Sequence, residues 1–202
     1  MFVLTIDQQK STTRGDLVPQ LLERLALRTA QLPGVVLPFE RTVGDEVQGV
    51  LDDPMSVLDL VLDVVRLGGW RTGLGLGGVH VPLPDHSREA SGPAFVNARA
   101  AVERAKSRTT AVPVAVDGPD ADRAADVEAL LRLVGAIVER RTDLGWQVVD
   151  RLRLDPEVTQ KEIARTLGIS EQAVSQRVRS ALWAEEQAAW PLAARLLGEA
   201  DA

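Results

Sequence analysis

The chain has no cysteine and only two histidines, His80 and His86. The first absence excludes a disulfide framework, a thiolate metal site and a cysteine nucleophile; the second leaves too little for a histidine-rich zinc site. Lack of cysteine also suits a reducing compartment. A long apolar run is missing too. The richest stretch, Val57 to Leu67, carries Asp59, Asp63 and Arg66, so no membrane span is expected. Met1 to Asp7 has no basic lead-in and breaks its apolar run at an acid. That predicts a first strand and not a signal peptide, and with it a cytoplasmic protein.

What is present is ordinary for a globular chain. At 202 residues, 45% apolar and 26% charged, it suits one large domain or two modest ones. A net charge of −6 argues on its face against nucleic acid, but the distribution matters more than the sum. From Arg140 to Trp183 there are eight bases (Arg140, Arg141, Arg151, Arg153, Lys161, Arg165, Arg177, Arg179) and six acids (Asp143, Asp150, Asp155, Glu157, Glu162, Glu171). That span is +2 and the remainder −8. An acidic body therefore carries a mildly basic tail.

Along the chain, Phe2–Ile6 reads as a strand, Asp16–Ala30 as a helix, and Val35–Val43 with Glu46–Leu51 as a hairpin turning at Gly44-Asp45. Met55–Leu67 is helical in period, Arg71–Val81 strand-like, Pro93–Ala105 helical and Ala111–Val116 a last strand. The order predicts an α+β fold, a ferredoxin-like sandwich with helices on one face of an antiparallel sheet, ending near Gly118-Pro119-Asp120. Residues 119–142 predict a connecting amphipathic helix, striped by Val127, Leu130, Leu131, Val134, Ile137 and Val138. That stripe suits either packing on both domains or a dimer seam. Residues 143–202 read as an all-α domain.

Within that domain, Thr159 and Glu162 have capping-box spacing, Gly168 sits at a tight turn, Ile169 plugs the corner, and Ser170 caps the next helix. Val174, Val178 and Leu182 form the inner stripe of that second helix; Val148, Val149 and Leu152 of an upstream helix complete a three-helix core. Outward positions carry residue types that reach phosphates and base edges: Thr159, Gln160, Lys161, Ser170, Glu171, Gln172, Ser175, Gln176, Arg177 and Arg179. The pattern predicts a wingless helix-turn-helix on double-stranded DNA; a helical hairpin that binds nothing is the plainer alternative. A homodimer is expected, because two copies would read a palindromic site. The run TQKEIARTLGISEQAVSQRVRSAL resembles the helix-turn-helix of LuxR-type regulators and of sigma-factor region 4.

The first domain has four chemistry-bearing segments: Ile6–Ser11, Arg41–Gly49, the glycine-rich Arg71–Val79, and Gly92–Arg99. In order, over about the first 115 residues, they resemble the SatD family and, more distantly, class III nucleotidyl cyclases and diguanylate cyclases. The resemblance implies a nucleotide-cyclase-like sandwich. It implies Mg²⁺ at Asp7 and Asp45, with Glu46 adjacent, and a purine nucleotide near Asn97 and Arg99. A strand-end and a turn aspartate are the plainer readings of Asp7 and Asp45. The cyclase pattern places an arginine where Ala101 stands and a base-selecting lysine near Phe39. These departures point to nucleotide sensing or an inherited scaffold rather than catalysis. Gly73-x-Gly75-x-x-Gly78 matches a dinucleotide fingerprint only formally, and close approach of a neighbouring helix is the expected use of these glycines. The histidines are expected to be solvated loop residues. Together these observations favour a DNA-binding regulator whose first domain oligomerises or senses a nucleotide. A Mg²⁺-dependent purine nucleotide enzyme that uses its tail for assembly, and a protein-binding adaptor, are the other readings.

Overall fold

Strand β1 (Phe2–Gln8) is buried along its whole length because it lies in the middle of a sheet. In the computed structural model, which describes residues 1–107 and 110–201, five strands run in the order β2-β3-β1-β4-β5. Strand β3 (Glu46–Leu51) and β4 (Trp70–Leu76) flank β1 antiparallel; β2 (Val35–Arg41) pairs antiparallel with β3 across register shifts. The outer strand β5 (Val114–Asp117) is parallel to β4. The protein is thus α+β with a mixed sheet.

Helices cover both faces. Phe2, Leu4, Ile6, Leu74 and Leu76 point into one cluster with α2 (Val18–Thr29), α3 (Pro54–Leu67), α5 (Ala121–Arg140) and α9 (Trp183–Asp201). The opposite face, with Val3, Val50 and Ala115, meets α4 (Pro93–Ser107) through Ala94, Phe95, Ala98, Ala101 and Ala105. The expected antiparallel sheet with helices on one face needs correction here. The β4–α4–β5 connection is a helical crossover, which makes its two strands parallel and places α4 on the far side. The glycines of β4 admit that helix. A Cβ on Gly73 would lie 2.5 Å from the Ala98 carbonyl oxygen and 2.8 Å from Val102 Cα, and one on Gly75 would overlap the Ala94 carbonyl. The strand stops at Leu76, short of the expected Val81. A short α1 (Ser11–Arg14), which periodicity does not announce, comes after β1.

Helix α3 is buried from Ser56 to Val65 without interruption, because the sheet lies on one side of it and α5 and α9 on the other. Its two buried acids are paired: Asp59 with Arg28 and Arg153, and Asp63 with Arg24 at 2.6 Å. Val127, Leu131, Val134 and Val138 of α5 pack inward as their stripe requires, whereas Leu133 on the outer side is exposed. No described helix is long and apolar enough to cross a membrane.

Helix α6 (Asp143–Leu154), α7 (Gln160–Leu167) and α8 (Glu171–Ser180) share a small core of Val148, Ile163, Ala164 and Val174, with Leu152, Leu167, Ile169 and Val178 around it. Leu182 does not extend the inner stripe of α8. The helix ends at Ser180, Leu182 takes a positive φ of 51° and is 41% exposed, and Ala181 is buried instead. Helix α9 is tied firmly to the body. It runs through Pro191 and buries Ala193, Leu197 and Ala200 against α3 and α5, and Asp201 accepts a hydrogen bond from the Gly77 amide at 2.8 Å.

Candidate functional site

The short helices α7 and α8 are fixed by local chemistry. The Thr159 hydroxyl accepts from the Glu162 amide at 3.2 Å, and Glu162 accepts in return from the Thr159 amide at 2.9 Å. These bonds satisfy two amides that a helix start would otherwise leave orphaned. The Thr159 bonds also hold the Glu162 carboxyl below its ordinary range. Gly168 ends α7 in the left-handed region (φ 65°, ψ 34°), where a side chain would be strained. Ser170 then caps α8, accepting from the Ala173 amide at 3.1 Å.

With Val174 turned inward, the opposite side of α8 carries Gln172, Gln176 and Arg179, all exposed, beside the half-buried Ser175. Gln160 and Lys161 are exposed at the start of α7, and Glu171 at the start of α8. Lys161, Arg165 and Arg179 make no ion pair among the described residues, so their charges face solvent. Arg177 lies to one side, and its guanidinium donates to Gln147 of α6 at 3.0 Å. Thr159 and Ser170 spend their hydroxyls on capping. Of the basic residues in this region, two turn out to be structural: Arg153 pairs with Asp59, and Arg141 is buried against Glu186. Charge counting along the sequence cannot separate these from the exposed ones.

A second cluster lies on the α4 face of the sheet. Asp7 sits opposite Glu46 on β3 and Arg71 on β4. Asp7 Oδ1 is 2.8 Å from Lys106 Nζ, and its Oδ2 accepts from Arg71 at 3.2 Å. Burial works against the charge on Lys106, but its hydrogen bonds to Asp7 and Glu103 prevail and raise its pKa. Glu46 accepts from the Thr42 hydroxyl at 2.9 Å and from Arg99 at 2.5 Å; Arg99 also reaches Glu103 at 3.1 Å. All four carboxylate oxygens of Asp7 and Glu46 therefore already have protein donors. Asp45 is not part of this row: it lines a separate shallow cleft with Ser11, Asp16 and Arg41. Asn97 donates to the Leu76 carbonyl at 2.8 Å, at the opposite end of β4 from Arg71.

The structure thus brings Asp7, Glu46 and Arg99 together; Asp45 stands beside them in the turn, its carbonyl accepting from the Gln8 amide at 3.3 Å, and Asn97 lies at the other end of β4. A lysine and two arginines hold three of the four oxygens that a hard cation at Asp7 and Glu46 would use, and the Thr42 hydroxyl holds the fourth. Lys106 is the member that sequence reading missed. Its approach to Asp7 depends on the packing of α4 across the glycines of β4, and no motif spacing reports it. The two histidines lie on the loop after β4: exposed His86 is 2.7 Å from Glu40, which raises its pKa, and His80 is 3.2 Å from Ser91.

No curated protein and no solved structure matches the chain. The SatD family model matches residues 6–183, from the first strand to the start of α9, and the chain therefore belongs to the SatD family.

Proposed function

We propose that this protein is a DNA-binding transcriptional regulator that reads the major groove with α8. The carrying observation is the solvent-facing row Gln172, Gln176 and Arg179 on a helix docked by a capped, glycine-turned partner. In this reading α6, α7 and α8 are a helix-turn-helix unit, with α7 across the backbone and Lys161 on a phosphate. No wing is involved: α9 comes directly after α8 and returns to the body. Arg177 supports the unit through Gln147, and Arg179 is the contact residue.

The sheet domain is read as a cyclase-derived scaffold. In this reading the order β2-β3-β1-β4, with all neighbours antiparallel, supports a ferredoxin-like core to which α4 and β5 are added. In the scaffold reading the Asp7–Lys106 and Glu46–Arg99 pairs are structural, and the protein acts by binding rather than by phosphoryl transfer. A homodimer supplies two copies of α8 and hence an inverted-repeat site.

Genome-wide mapping of the bound fragments tests the proposal. Discrete sites containing inverted half-sites about one helical turn apart are expected. Occupancy indistinguishable from that of a protein without DNA affinity would overturn it.

A further inference from the structure

A cleft of about 440 Å³ opens where the sheet body meets the helical tail, lined by Arg28 of α2, Asp59 of α3, Arg153 of α6, and Trp183, Gln187 and Trp190 of α9. Its volume falls within the usual range for small-molecule sites. We propose that this cleft binds a planar aromatic anion, an aromatic ring carrying one carboxylate or phosphate.

Two observations converge on that chemistry. Trp183 and Trp190 line the cleft, and indoles offer surface on which an aromatic ring can stack. Arg28 and Arg153 both spend a terminal nitrogen on the single carboxylate of Asp59, so the corner carries one positive charge in excess. Indole surface and a surplus guanidinium charge select an aromatic anion over a cation or a neutral sugar. The guanidinium fork suits carboxylate and phosphate alike. An aryl carboxylate and a purine nucleoside monophosphate are the two sources of that chemistry.

The walls also connect to the tail. Helix α6 contributes Leu152 and Arg153 to the cleft and Val148 to the core beneath α7 and α8. A ligand that draws α6 toward α9 would bias the position of α8, a coupling that rests on the DNA-binding proposal. Binding itself does not, so the two readings fail separately.

Isothermal titration of the full chain tests the site with four probes: indole-3-acetate, guanosine monophosphate, neutral indole and inorganic phosphate. One molecule of a ring-bearing anion per chain is expected, at least tenfold tighter than indole or phosphate. Preference for indole-3-acetate or for the nucleotide identifies the source. Arg153→Gln is expected to weaken binding at least tenfold, Arg153→Lys less, and Trp190→Phe by a smaller factor because a smaller ring remains to stack. Urea midpoints confirm that each variant is folded. The proposal is overturned if neither ring-bearing anion outbinds the neutral ring and phosphate, or if folded Arg153→Gln and Trp190→Phe both bind like the parent.

Discussion

Glu186→Leu is the sharpest single perturbation of the packing between the tail and the body. Arg141 and Glu186 meet at 2.5 Å with side chains 0% and 1% exposed. The same guanidinium donates to the Ala181 carbonyl at 2.8 and 3.1 Å and lies over the Trp146 ring. Removing the carboxylate leaves a buried cation with one backbone acceptor and an aromatic face. Breaking such a pair costs roughly 3–5 kcal/mol. For a domain of this size each kcal/mol lowers Tm by about 2–4 °C, so a fall of roughly 6–20 °C is expected. Arg141→Met is expected to cost a similar amount. The double variant behaves differently, because Arg141 Nη1 and Glu186 Oε1 are buried without partners among the described residues even in the intact pair. Taking both groups out therefore removes an incompletely satisfied pair and should return stability to within about 2 kcal/mol of the parent. Urea denaturation of the four proteins closes the cycle. A Glu186→Leu loss below about 1 kcal/mol, or single losses that simply add in the double variant, would refute the reasoning.

Gly75→Ala drives a Cβ into the Ala94 carbonyl and is expected to cost more than about 3 kcal/mol, whereas Gly78→Ala, with open space around it, stays within about 0.5 kcal/mol of the parent in the same denaturation assay. Thr159→Ala removes the cap of α7 and is expected to cost about 1 kcal/mol by thermal melting; an unchanged Tm would mean that the capping box contributes nothing. The Glu40 carboxylate raises the pKa of His86, so this pair's stabilisation is fully present below the unfolded histidine value of about 6.5 and is lost as pH rises through the higher folded value. The stability difference between the parent and His86→Gln should therefore shrink as pH rises above about 6.5, and a difference that stays constant as pH rises would contradict it.

Features set by neighbours in sequence were legible in advance. The capping box, the turn at Gly168 and the Ser170 cap depend on residues within four positions of one another, and each stands where spacing placed it. The inward stripe of α5 and the role of Gly73 and Gly75 were legible for a related reason, since a period or a missing side chain records the neighbouring surface. Long-range partners left no such trace. Arg153 meets Asp59 across 94 positions and Arg66 meets Asp150 across 84. In the sequence each is merely a charged residue on an amphipathic helix. The parallel pairing of β5 and the burial of α9 against α3 and α5 likewise depend on contacts between elements distant in sequence, which composition does not encode. At the candidate sites, residue types were readable but allegiance was not. Arg177 and Arg179 look equivalent, yet one is held by Gln147 and the other is exposed.

That distinction supplies the most direct test of α8 as a DNA-reading helix. Fluorescence anisotropy of a fragment recovered by site mapping should report affinity that falls steeply with salt. Replacing Gln172 and Arg179 by alanine together is expected to weaken binding at least tenfold and to lower the salt slope by about one unit for the lost phosphate or base contact. A doubly substituted protein that remains folded and binds the fragment with the parent's affinity and salt dependence would contradict the assignment of α8.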